Sequence, residues 1–135
     1  MKTRSMLICL LACLVALSLA GCWGGQGKIV VNGDDNPADV KLRRGEPWEL
    51  SLSANPSTGY QWTLSQPPDK SILALETEAY YPDPQAAGRP GANGRQVFSF
   101  RARKSGATAL ELIYARPWEK DQPPLTRLRY TILVH

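Results

Sequence analysis

Val97-Phe98-Ser99-Phe100-Arg101-Ala102-Arg103, then Lys104-Ser105-Gly106, then Ala107-Thr108-Ala109-Leu110-Glu111-Leu112-Ile113-Tyr114 reads as strand, turn, strand. In the first run Phe98, Phe100 and Ala102 share one face, with Ser99, Arg101 and Arg103 opposite. A period of two with one apolar face is the pattern of a half-buried strand. In the second run Leu110, Leu112 and Tyr114 face inward by the same logic. The three residues between them are polar and end in Gly, which marks a turn.

The alternation extends in both directions. Leu128, Tyr130, Ile132 and Val134 alternate with Arg127, Arg129, Thr131 and Leu133 in a closing strand over 125–134. Ile72 to Tyr81 places Leu73, Leu75, Thr77, Ala79 and Tyr81 in one phase, and Pro82 with the β-branched and aromatic content favours a strand over a short helix. Tyr60, Trp62 and Leu64 alternate with Gln61 and Thr63 until Pro67-Pro68-Asp69 stops the run. Trp48, Leu50 and Leu52 alternate with Glu49, Ser51 and Ser53, after a turn at Arg44-Gly45-Glu46-Pro47. Asp39 to Arg43 puts Val40 and Leu42 on one face, and Ile29-Val30-Val31 is a short first strand. Helical periodicity is absent, and 11 Pro with 11 Gly punctuate the chain. The expected fold is all-β, an immunoglobulin-like β-sandwich of seven to eight strands without a disulfide, with Trp62 as its core aromatic.

The N-terminal segment is read separately. Lys2 and Arg4 precede an apolar run from Met6 to Leu19, short for a membrane span and laid out as a secretory signal. It ends in Leu19-Ala20-Gly21-Cys22, which resembles a bacterial lipobox. That resemblance implies cleavage before Cys22 and lipidation of its thiol, with membrane attachment by more than one acyl chain. The expected organisation is a lipoprotein signal peptide over 1–21, lipidated Cys22 and a flexible linker over 22–37, and a β-sandwich domain over 38–135. Gly24-Gly25-Gln26-Gly27 suits the linker. Trp23 is not the Asp of an inner-membrane retention signal, so the expected location is the bacterial cell envelope, lipid-anchored in the outer membrane. The chain has 3 Cys, and positions 9 and 13 fall in the signal, so the domain itself carries no thiol.

Charge and inventory narrow the function. The formal charge of +4 owes half its excess to Lys2 and Arg4, and both signs are interspersed in the rest. The pI near 9.1 therefore does not point to nucleic acid. Lys41-Leu42-Arg43-Arg44 is the densest basic run and reads as the solvated side of an edge strand. The single His is His135, at the C-terminus, so a Ser-His or Cys-His arrangement has little to work with. No His/Cys cluster has zinc spacing, and Asp34-Asp35 reads as a turn rather than a cation site. The chain is expected not to be an enzyme and to need no metal or other cofactor.

Three segments between strands stand out. Asn55-Pro56-Ser57-Thr58-Gly59-Tyr60 has the chemistry of a turn: Asn-Pro initiates, the hydroxyls bond local backbone, and Gly takes positive φ. Gly91-Ala92-Asn93-Gly94 lies in a long polar stretch, Pro82 to Gln96, where small residues let a backbone approach a partner. Arg116-Pro117-Trp118 places two hot-spot residue types beside a stiffening Pro, among charged neighbours that favour exposure of the indole. In a sandwich, alternate connections emerge at the same end, so all three are expected on one rim.

In this order the three segments resemble the chagasin family of inhibitors of papain-like cysteine peptidases. That family has an Asn-Pro-Thr-Thr-Gly-aromatic loop, a Gly-x-Gly-Gly loop and an Arg-Pro-Trp loop. Here Ser57 replaces the first Thr and keeps a hydroxyl, Asn93 replaces a Gly, and Arg116-Pro117-Trp118 is unchanged. The likeness covers about residues 38 to 135. It implies a monomeric, reversible, non-covalent inhibitor with a papain-like cysteine peptidase as protein partner. Thr58 would sit near the peptidase's catalytic pair, Trp118 would pack on the primed side, and the Gly loop would add backbone contacts. The alternative is an immunoglobulin-like adhesion or assembly lipoprotein of the envelope without a peptidase target; a carboxylate-based hydrolase is a further one.

Overall fold

Alternation becomes two stacked sheets in the computed structural model, which describes residues 29–32, 39–86, 88–89 and 91–135. The signal segment, Cys22, the Gly-rich stretch and Asp34-Asp35 lie outside the described residues. The strands are β1 (Ile29–Asn32), β2 (Asp39–Leu42), β3 (Pro47–Ala54), β4 (Gln61–Gln66), β5 (Leu73–Pro82), β6 (Gly94–Ala102), β7 (Gly106–Ala115) and β8 (Thr126–Val134). One sheet has the order β1-β3-β6-β5 and the other β2-β8-β7-β4. β1 and β2 pair in parallel with β3 and β8, and the remaining pairings are antiparallel. The all-β sandwich expectation holds.

The turn at Lys104-Ser105-Gly106 is where the sequence places it, but it does not make a hairpin. β6 pairs with β3 and β5, whereas β7 pairs with β4 and β8, so the turn carries the chain from one sheet to the other. Alternation tells which face of a strand is apolar and nothing about its neighbour.

The core follows from the inward faces. Trp48 and Leu50 oppose Phe100 and Phe98 across the β3–β6 register, Leu52 opposes Gln96, and Leu42, Leu110, Leu112, Tyr130 and Ile132 close the core from the other sheet. Trp48 stacks on Phe100 at 5.1 Å and meets Tyr130 edge-on at 5.9 Å. Such ring pairs add about 0.5–1.5 kcal/mol each beyond the area they bury. Trp62 belongs to this core, as expected, but it is not the most enclosed aromatic: it is 7% exposed where Trp48 is 0%. Its Nε1–H donates to the Ser53 carbonyl at 2.9 Å, near the end of β3, which ties it to the rim.

Two expectations need correction. The sandwich starts before residue 38, because Ile29–Asn32 pairs residue by residue with Trp48–Ser51; the linker is shorter than 22–37. The single phase read through Ile72 to Tyr81 breaks at a bulge between Leu75 and Thr77. Leu73 and Leu75 oppose inward Ala102 and Phe100, but after the bulge Glu78 opposes Phe98 and Tyr80 opposes Gln96. One extra residue turns every later side chain to the other face. Thr77, Ala79 and Tyr81 thus leave the phase of Leu73.

On the outer face of the second sheet, Glu111 of β7 is buried under its neighbours. Its Oε2 accepts from Arg129 Nε and Nη2 at 3.2 and 2.7 Å, and its Oε1 from Ser65 Oγ at 2.8 Å and from Arg127 Nη1. The hydrogen bonds from Arg129 and then Ser65 hold this carboxyl below its ordinary value of 4.5. A depressed folded value gives stability that is complete above the unfolded value and lost as pH falls through the folded one. Denaturation midpoints measured from pH 7 downward should therefore decline once pH passes below about 4.5. Glu111→Gln should flatten part of that decline; parallel curves for the two proteins would show that the cluster does not couple to folding.

Candidate functional site

The β3–β4 connection is a compact knot built by Asn55. Pro56–Thr58 form one 3₁₀ turn, with Asn55 as its N-cap and Gly59, at φ +81°, closing it. The Asn55 carbonyl accepts from Thr58 N–H at 3.2 Å and from Thr58 Oγ1 at 2.6 Å. Its Oδ1 accepts from Ser57 N–H at 3.2 Å and from the Ser57 hydroxyl, which is why a hydroxyl is needed at 57. This much is the local turn chemistry expected from the residues.

Asn55 also reaches the neighbouring connection. Its Nδ2 donates to the Gly91 carbonyl and to Asn93 Oδ1, both at 3.0 Å. Its backbone N–H donates to the Tyr114 hydroxyl at 3.1 Å, so β7 holds the same residue from behind. Asn93, the departure from a Gly-rich pattern, thus supplies an acceptor that Gly could not.

The third connection leans on the first. Arg116 Nε donates to the Thr58 carbonyl at 3.1 Å, its Nη1 to Glu119 at 3.0 Å, and its guanidinium lies 4.6 Å above the Tyr60 ring. Tyr60 and Trp62 flank Tyr114 at 5.4 and 5.0 Å, an aromatic column from rim to core. Trp118 is 66% exposed, as its charged surroundings predict. Its indole lies across Gly59, where an added Cβ would stand 2.8 Å from Cζ2. Gly59 is therefore required twice, for its positive φ and for the seat it leaves.

The structure brings together most of the residues singled out from sequence. Pro56, Ser57, Thr58, Pro117 and Trp118 are exposed; Gly91 and Asn93 are exposed beside them; Asn55, Gly59, Tyr60, Ala92 and Arg116 are half-buried. Gly94 is the exception. It is buried in β6, paired with Ala54 and Pro82, and a Cβ there would collide with the Tyr80 ring. It is a close-packing glycine of the sheet, and the connection itself is 83–93 rather than Pro82 to Gln96. Sequence reasoning missed the Tyr114 hydroxyl and Glu119. For Tyr114 the signal was available: a half-buried phenol needs a polar partner.

Residues 41–132, well over half of the chain, match the model of the chagasin family peptidase inhibitors, I42. Amoebiasin-2 of Entamoeba histolytica is 35% identical over 86 residues, covering 64% of this chain and 68% of that protein. Chagasin of Trypanosoma cruzi is 31% identical over 87 residues, covering 62% of this chain and 76% of that protein. A crystal structure of a cysteine protease inhibitor from Entamoeba histolytica aligns with a TM-score of 0.71 at 25% identity, over 80% of this chain and 96% of that one. PbICP-C, solved in complex with falcipain-2, shares the fold at 17% identity and a TM-score of 0.53, over 80% and 88% of the two chains.

Proposed function

The chain belongs to the chagasin family of peptidase inhibitors, and from that premise we propose that it is a reversible, non-covalent inhibitor of papain-like cysteine peptidases whose three-loop rim occludes the active-site cleft. The observation that carries this reading is the Asn55 side chain, which ties the first loop to Gly91 and Asn93 of the second, while Arg116 ties the third to Thr58. Three connections far apart in sequence form one pre-ordered edge. Little ordering entropy is then lost on binding.

The first loop is the wedge. Pro56, Ser57 and Thr58 project at the rim, and their backbone is coiled in a 3₁₀ turn rather than extended. A peptidase acts on an extended peptide whose carbonyl is aligned for attack; a coiled turn offers no such carbonyl, so the loop blocks without being cleaved. Thr58 donates its hydroxyl hydrogen to the Asn55 carbonyl and keeps the turn rigid where it meets the catalytic pair. Trp118 supplies the apolar contact on the primed side, and the Gly91–Asn93 segment adds main-chain contacts on the other flank.

Titration of the purified chain against papain and cathepsin L tests the proposal. Saturable inhibition that reverses on dilution, with the chain recovered intact, is expected. Absence of inhibition of both peptidases by a folded sample would overturn it. The envelope location belongs to the same proposal: Cys22 would carry the lipid. Wild-type protein should then take up labelled palmitate and enter a detergent phase, and Cys22→Ala should do neither; a wild-type chain found wholly in the aqueous phase would refute the anchor.

A further inference from the structure

Beside the rim, the sandwich opens where the edge strands β4 and β5 face each other. The opening is a cleft of about 620 Å³ whose lining includes Gly59, Tyr60, Glu78, Tyr80, Gln96 and Trp118. Its walls are aromatic. Trp118 is seated on Gly59 and Tyr80 on Gly94, each ring filling the space a Cβ would need, so neither can retract into the sheet. Its floor is polar and fixed. The buried Gln96 amide accepts from Trp62 N–H at 2.9 Å, donates to the Trp62 carbonyl at 2.9 Å, and donates to Glu78 Oε1 at 2.7 Å. Both donor hydrogens of this amide are used, and it holds the Glu78 carboxylate by one oxygen.

Among the described residues Glu78 has no cationic partner: its sole hydrogen bond is the one from Gln96, and no ion pair involves it. Arg116, which lies over the Tyr60 ring of the cleft lining, is engaged by Glu119 and Thr58. An exposed carboxylate in a cleft that is also lined by Tyr60, Tyr80 and Trp118 is complementary to an ammonium or guanidinium group, whose charge π faces attract and whose stem they cover. One carboxylate is too few for a metal, and no group of three or more His, Cys, Asp or Glu is placed to hold one among the described residues.

We propose that this cleft receives a lysine or arginine side chain from the rim of the bound peptidase, and so selects among targets; the proposal rests on the inhibitor reading for the identity of the partner. Trp118 is shared between the cleft and the exposed rim, so the basic side chain would be engaged by the same contact that docks the third loop.

Two measurements decide it. In the first, the isotopically labelled full chain is titrated with Nα-acetyl-arginine methylamide and with the citrulline analogue, its neutral isostere. The arginine probe should shift the Trp118 Nε1–H and Gln96 Nε2–H resonances saturably, and the citrulline probe should bind at least about fivefold more weakly. Glu78→Gln should abolish that preference with an unchanged melting temperature, and Glu78→Asp should keep part of it. Equal binding of the two probes, or no saturable shift, overturns the cation site whether or not the chain inhibits peptidases. In the second, association rates are measured against a panel of papain-like peptidases that the chain inhibits. Glu78→Gln should slow association up to about tenfold at low salt for members with a basic residue at the contact, with the gap closing at high salt. If no member loses more than about twofold, the peptidase side chain is not the occupant, although inhibition itself stands.

Discussion

Trp48→Ala should cost about 3–5 kcal/mol of folding stability, the largest loss expected from any single truncation in this chain. The indole is fully buried, stacked on Phe100 and met edge-on by Tyr130, so its removal opens a cavity between two sheets that cannot both move in. No disulfide is available to limit the damage, since the 3 Cys lie at positions 9, 13 and 22. Trp62→Ala should also be costly, but less so, because Trp62 lies toward the rim end of the core. It should differ in kind as well: losing the Trp62–Tyr114 contact loosens the support of the Asn55 knot. Urea unfolding of both variants checks the ranking. A Trp62 variant less stable than the Trp48 variant would move the centre of the core toward the rim.

Trp118→Ala should do the reverse. About 2–4 kcal/mol of peptidase binding should be lost, mostly as faster dissociation, with little change in melting. The indole is two-thirds exposed and lies across Gly59, so it contributes area to a partner rather than to the core. Gly59→Ala should lose binding by the same route, because the methyl occupies the indole's seat and the backbone sits at φ +81°. The double variant should therefore lose less than the two single losses combined. A Trp118 variant that melts early while its folded fraction binds normally would make the residue structural and leave the first loop as the main contact.

Much of the site is legible in the amino-acid sequence. Each rim loop carries its chemistry in consecutive residues: Asn-Pro-Ser-Thr-Gly encodes the capped turn, and Arg-Pro-Trp encodes a stiff exposed aromatic. Gly94 defeats such reading because a glycine in a polar run looks the same whether it ends a loop or opens a strand. What distinguishes the cases is the Tyr80 ring, 14 positions earlier in the chain, and that ring faces Gly94 only because of the bulge after Leu75. Asn93 reads as a residue of tolerant backbone, whereas its side chain is what the rim uses.

Local sequence suffices to say which face most strand residues present, where the turns fall, and that the domain needs no cysteine. These are consequences of period-two alternation and of residues adjacent in the chain, and they need no partner to be specified. Long-range packing was required to place β6 and β7 in different sheets, to change the phase of β5, to make Asn55 the junction of the rim, and to bring Glu78 into one cleft with Tyr60, Tyr80 and Trp118. Asn55 meets Gly91 across 36 positions and Arg116 meets Thr58 across 58. Contacts at such separations depend on register and on which sheet each strand joins. Those are settled by the packing of two apolar faces against each other, and no local pattern of residues records them.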